Sequence, residues 1–182
     1  LDYSVQPMGR GSFGGNMLIA STWRHREEMK RIGKGNADRR WDVLPQQPSL
    51  AYDLAQNRLI VTAAILQGPV FNAKADAADK FGSFGGLVGH ELTRAIDAKG
   101  ALVDAKGELR SWWTPADKTA WTLLGNRVAA QYGAYDFPGV KGAKVNGTLT
   151  QEENLADIAG LELAWAAYTA QEPKAKQAQQ QG

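Results

Sequence analysis

The chain of 182 residues contains no cysteine, which excludes disulfides, Cys-ligated zinc, iron–sulfur clusters and a thiol nucleophile. It has only two histidines, His25 and His90, so imidazole alone cannot build a metal site and any His-based chemistry must enlist carboxylates. No charge sign dominates: 21 Lys and Arg stand against 19 Asp and Glu, a formal net charge of +2. That balance lacks the single-sign excess of a nucleic-acid or membrane-surface protein. No apolar run approaches the ~20 residues needed to span a bilayer. What is present, 43% hydrophobic and 22% charged residues, is the composition of one globular domain that can bury a core without a metal or disulfide.

The two ends differ from the middle. The chain opens at Leu1 with no initiator Met and no signal-peptide pattern, as expected of a processed or trimmed polypeptide. Residues 1–15 read as an extended N-terminal segment, 16–170 as the domain, and 171–182 as a polar, Gln-rich tail. Such a tail cannot bury apolar area and is expected to be loose or held by a partner.

Apolar positions at Met17, Ala20, Trp23, Met29 and Ile32 predict an amphipathic helix over 16–32, ended by Gly33 and Gly35. The β-branched run Asn57–Thr62 is the best strand, an edge paired with the segment around Ala51-Tyr52. Residues 76–98 read as a helix despite Gly82, Gly85, Gly86 and Gly89. Each glycine costs roughly 1 kcal/mol relative to Ala, so another backbone is expected close against that face. Thr114-Pro115-Ala116-Asp117 starts a helix running to about Tyr135. Thr150-Gln151-Glu152-Glu153 fits a capping box for a last helix through Leu161, Trp165 and Tyr168.

The sharpest chemical signal is Gly89-His90-Glu91-Leu92-Thr93-Arg94. In H-E-x-x-H, two imidazoles one helical turn apart bind one zinc while the Glu polarises its water. Here position 94 is Arg, which stays cationic and has no lone pair for a metal. Downstream, Glu153 and Asp157 stand at i and i+4 on one helix face. A Glu ligand with an Asp that orients a ligating His is how such sites are supported. Glu153 could equally be the capping-box Glu of its own helix, and His90 a helix histidine bonded to a carboxylate. Trp112-Trp113 reads as core and helix-entry packing, His25 as a solvated helix residue, and Lys30-Arg31 and Arg39-Arg40 as solvated faces.

Taken together, these residues resemble the neprilysin and endothelin-converting-enzyme family of zinc metallopeptidases over roughly residues 20–170. The matches include Trp23-Arg24, Trp41, Pro45-Gln46, Asn57, Ala64–Gln67, Phe84–Glu91, Asp97, Gly107-Glu108-Leu109 and Trp112–Asp117. They continue with Gln131-Tyr132, Val145–Thr150, Glu153–Asp157, Gly160-Leu161 and Ala167-Tyr168. The resemblance implies an α+β, mostly α fold: a zincin, thermolysin-like catalytic-domain core with a small edge-strand sheet. It makes His90 and Glu153 zinc ligands, Glu91 the general base, Asp157 the carboxylate behind a ligand, and Asp97 an acidic position near the metal.

Four departures stand against that pattern. Arg94 replaces the second ligand. Ser49-Leu50 stands where the family carries its substrate-anchoring Asn-Ala pair. The family's later transition-state His and substrate-binding Arg, and its large N-terminal helical lobe, are not in this sequence.

A zinc held by His90 and Glu153 alone would be one protein ligand short, and a guanidinium would repel it. Arg94 is instead expected to bridge Glu153 and Asp157 in place of the metal's charge. The expected function is therefore a non-catalytic homologue with catalytic positions Glu91 and Asp157 vestigial and no cofactor. It would serve as a structural or partner-binding subunit, beside a chain or segment that supplies the missing lobe. Exposed apolar surface should mark where that lobe packs.

The alternative is an active zinc endopeptidase on short peptides, its site completed by another group. A third reading is a peptide-binding module using strand addition near residues 57–62. No nucleic acid or membrane span is expected, and the resemblance implies an extracytoplasmic location.

Overall fold

The computed structural model describes residues 3–34 and 43–180, with side chains through residue 171. Gly35, Arg39, Arg40, Trp41 and the side chains of the expected tail beyond 171 lie outside that description. The chain divides into two compact units, Leu1–Arg39 and Arg40–Gly182.

The first unit is built on α1, Phe13–Met29. The expected helix over 16–32 is shifted toward the N-terminus, because Ser12 is its cap: the Ser12 hydroxyl accepts from the Gly15 amide at 3.0 Å, satisfying a donor that would otherwise have no partner. Its end comes at Lys30, ahead of Gly33, whose φ of 82° only glycine takes without cost. Tyr3 stacks on Trp23 at 4.8 Å and accepts from Arg24. No α1 residue is buried within the unit, and His25 is exposed as expected.

The second unit begins with an antiparallel hairpin, β1 (Leu50–Asp53) and β2 (Arg58–Val61), in the register Ala51↔Ile60 and Tyr52↔Leu59. The strand read from Asn57–Thr62 and its partner around Ala51-Tyr52 are both there. Asn57 turns the chain at φ 48°, a conformation Asn tolerates. Thr62 is the largest fully buried side chain. Its hydroxyl donates to the Gln47 carbonyl at 2.6 Å and accepts from the Ser49 amide at 2.9 Å, which fixes the approach to β1.

The continuous helix expected over 76–98 is broken into pieces. Asp76 caps α2, Ala77–Lys80. A π-helical turn, Phe81–Gly85, follows, then α3, Gly86–Leu92, and a 3₁₀ turn, Thr93–Ala95. The Ser83 hydroxyl bonds back to the Asp79 carbonyl at 2.7 Å, and three glycines at 82, 85 and 86 offer little resistance to the wider turn. The far end stops early because Asp97 accepts the amides of Lys99 and Gly100 at 2.9 and 2.8 Å. Those amides therefore cannot continue the helical ladder.

Helix α4, Pro115–Gly133, carries the Thr114/Asp117 capping box at its start and ends two residues before Tyr135. Trp113 packs on Trp121 at 5.4 Å. Trp112 is half exposed rather than core, its indole N–H held by the Gly100 and Val103 carbonyls.

Helix α5 runs Gln151–Gln180. The stretch expected to be a loose tail continues the helix, as its Ala, Lys and Gln residues favour. The Thr150–Glu153 capping box does not form. The Thr150 amide bonds to the Asn146 carbonyl at 3.2 Å, the Thr150 hydroxyl accepts from Asn154, and Glu153 points at Arg94.

The core lies where α3 and α4 meet α5. Among the described residues, the buried apolar side chains are Val128 of α4 and Leu155, Ala156 and Ala164 of α5, with Ala101 in the turn after α3. Among the described residues the fold is α+β, mostly helical, with one small sheet.

Candidate functional site

Close approach of two backbones creates the site. Gly89 of α3 lies against Gly160 of α5: a Cβ on Gly89 would run into the Gly160 main chain, and one on Gly160 into that of Gly86 and His90. The expectation that glycine on 76–98 marks a near neighbour therefore holds at Gly89; Gly82 faces open space. At this distance His90 and Glu91 of α3 stand over the first turns of α5, where Glu153 and Asp157 project.

His90 is mostly buried, and both its ring nitrogens are engaged. Nδ1 is 2.6 Å from Asp157 Oδ1. Nε2 is 3.2 Å from Arg94 Nη2 and 3.2 Å from Glu153 Oε2. Nε2 therefore lies between a guanidinium, which can only donate, and a carboxylate oxygen, which can only accept, while Nδ1 faces Asp157.

Arg94 Nη2 also donates to both Glu153 oxygens, at 2.7 and 2.6 Å. The bridge expected to Glu153 and Asp157 is thus half formed. Asp157 is taken by His90, and the second carboxylate beside Arg94 is Asp97, with Oδ2 3.6 Å from Nη1. One nitrogen serves Glu153, so the contact is not a two-nitrogen fork.

Each partner shifts the other. The Arg94 hydrogen bond holds the Glu153 carboxyl below its ordinary value, helped by nearby His90 and Lys99 and opposed by desolvation. The Glu153 hydrogen bond in turn raises the Arg94 guanidinium, against the desolvation of its partial burial.

Asp97 is 5% exposed, and its Oδ2 makes no hydrogen bond. The sequence placed Asp97 near the site without showing that it faces position 94.

Glu91 points elsewhere. Its Oε2 accepts the Tyr52 amide of β1 at 3.1 Å, and Oε1 stands 4.0 Å from His90 Nε2. This contact was not legible in the sequence, since it joins residues far apart through the hairpin. It occupies a β1 main-chain donor that an added strand would need.

Ser49, Leu50, Pro48, Ile65 and Leu87 wall an open groove of about 380 Å³ with His90, Glu91 and Asp157 on its floor. Among the described residues, no group of three or more His, Asp or Glu is placed to hold a metal ion.

The sequence pattern of peptidase family M13 matches residues 51–181, most of the chain. The chain belongs to peptidase family M13. It is 31% identical over 152 residues to Neprilysin-11 of Caenorhabditis elegans, covering 84% of this chain and 18% of that protein. Endothelin-converting enzyme 1 of Bos taurus is 38% identical over 128 residues, 70% of this chain and 17% of the relative. The chain spans about a fifth of the length of the curated relatives it matches.

Among solved structures, the Mycobacterium tuberculosis zinc metalloprotease ZMP1 in complex with inhibitor aligns over 93% of this chain and 26% of its own, with a TM-score of 0.78 and 31% identity. PepO from Lactobacillus rhamnosis aligns over 70% of this chain and 20% of its own, with a TM-score of 0.63 and 41% identity. The fold is therefore the zincin-like core of the neprilysin-type metallopeptidases.

Proposed function

We propose that this M13 homologue is non-catalytic and that Arg94 occupies the position of the family's zinc. The observation that carries this reading is Arg94 Nη2, lying 3.2 Å from His90 Nε2 and 2.6 Å from Glu153 Oε2. Those are the two atoms that would hold the ion at the family positions. A dication there would collide with a cation that contributes no lone pair. The residues present do not fit a zinc, and no hydrolytic step is assigned through one. His90, Glu153 and Asp157 become an ion-pair and hydrogen-bond cluster that fastens α3 to α5, and Glu91 becomes a clasp on β1.

The chain then serves as a structural or partner-binding element beside a chain or segment that carries the family's large helical lobe. Its exposed Leu123, Leu124, Leu161 and Trp165 support that role. Among the described residues no helix is long and apolar enough to cross a membrane. Placement outside the cytoplasm rests on the family resemblance.

Peptide hydrolysis tests the reading. Short unblocked peptides incubated with the purified chain and added zinc should show no cleavage above that of a Glu91→Gln control. Cleavage that a chelator abolishes and Glu91→Gln removes would establish an active peptidase instead.

A further inference from the structure

The groove over His90 carries a charge imbalance that follows from Arg94. Its floor holds two carboxylates, Glu91 and Asp157, and among the described residues each is ion-paired with His90 rather than with a lysine or arginine. Arg94 adds one positive charge beside that floor, and the charge is already shared. Glu153 takes Nη2 at 2.6 Å, while Asp97, 5% exposed, faces Nη1 at 3.6 Å with an Oδ2 that has no hydrogen bond. Lys99 is occupied by Glu152 at 3.3 Å. Four carboxylates, Glu91, Asp97, Glu153 and Asp157, thus stand against one guanidinium, which brings a single charge where a zinc brings two. The cluster stays negative whether His90 is neutral or protonated. The walls have a different character: Pro48, Leu50, Ile65 and Leu87 are apolar, and no lysine or arginine lines the groove. An acidic floor under aliphatic walls fits a flexible carbon stem that ends in one cation.

We propose that the groove docks a lysine side chain of a partner polypeptide, with its methylene stem along Leu50, Ile65 and Leu87 and its ammonium over Glu91 and Asp157. Charge complementarity selects a cation. The hydrogen bonds select an ammonium over a guanidinium. Glu91 Oε2 already accepts the Tyr52 amide, and Asp157 Oδ1 is held at His90 Nδ1. Neither carboxylate therefore offers the two free oxygens of a bidentate guanidinium contact. One oxygen remains on each, a set suited to a compact ammonium with three donors. The one-sided placement of charge selects a chain-borne lysine over a free polyamine, whose second ammonium would meet no carboxylate on the walls. This proposal deepens the non-catalytic reading and rests on it, because a zinc on His90 would stand where the ammonium docks.

Titration of Nα-acetyl-lysine methylamide into the purified, chelator-treated chain, followed by NMR of the Leu50, Ile65 and Leu87 methyls, tests it. The expected result is a saturable shift with a dissociation constant on the order of 1 mM, weakened by added salt. The norleucine analogue keeps the stem without the ammonium and should bind about 10-fold more weakly or worse. The arginine analogue and 1,4-diaminobutane should not match lysine. Glu91→Gln and Asp157→Asn keep the oxygens that meet Tyr52 and His90, so the fold is retained, and each should weaken lysine binding by about 10-fold. Equal binding of the lysine and norleucine analogues, a match by the arginine analogue or the diamine, or indifference to both substitutions overturns the proposal. So does the absence of a saturable shift up to about 50 mM. Dialysis of the chain against zinc separates the two readings: retained zinc contradicts the non-catalytic one, whereas a zinc-free chain that ignores lysine contradicts the docking alone.

Discussion

Arg94 shows how one side chain redirects a site without dismantling it. Its guanidinium neutralises Glu153 and lies against His90 Nε2, while Asp157 still holds Nδ1. Because Arg94 lowers the Glu153 carboxyl in the folded state, unfolding raises that value and takes up a proton in acid. The pair's contribution is therefore complete above the ordinary value of 4.5 and fades as pH falls below it through the depressed folded value. Glu153 is 60% exposed, so screening limits the effect to about 1 kcal/mol or less. Acid titration of stability should show Glu153→Gln flattening the limb below pH ~4.5; an unchanged limb would deny the pair any energetic role.

Arg94→His should remove the guanidinium and set a second imidazole one turn from His90, facing the buried Asp97 oxygen that now lacks a hydrogen bond. Zinc bound to the purified variant should rise from trace to near one ion per chain. A variant that stays empty would mean that more than this position has changed.

At the scale of elements, the glycine contact between α3 and α5 brings His90 to Asp157. Gly160→Ala would drive a methyl into the His90 backbone. Overpacking of this kind costs roughly 1–3 kcal/mol. Thermal unfolding should move down accordingly, and the His90 Nδ1 proton resonance should lose its hydrogen-bonded shift as the helices part. At the start of α4, Thr114→Ala removes the hydroxyl that caps the Asp117 amide. It should cost about 1 kcal/mol, seen as a drop of roughly 2–4 °C in melting temperature.

These two elements also mark what the sequence discloses. The cap at Thr114, the hairpin partners and the common face of Glu153 and Asp157 follow from local spacing and were readable. The break of 76–98 into four pieces was not, because it depends on Ser83 bonding to Asp79 and on Asp97 capturing downstream amides. The Thr150 capping box failed for a related reason: Glu153 found a cation across the helix pair, stronger than a backbone donor. Asp157 choosing His90 over Arg94, and Glu91 reaching Tyr52, are decided by tertiary geometry that no spacing rule encodes.

At the scale of the whole molecule, the chain covers about a fifth of the length of its curated relatives and leaves many large apolar side chains exposed. Among the described residues its buried apolar core is small, five residues of which three are alanine. The central claim, however, concerns the cation at the heart of the α3–α5 pair. Isothermal titration of zinc into the metal-free, purified wild-type chain addresses it most directly. The account predicts no saturable heat at micromolar protein and no ion retained after dialysis. Binding of one zinc per chain that is lost in His90→Ala would contradict it.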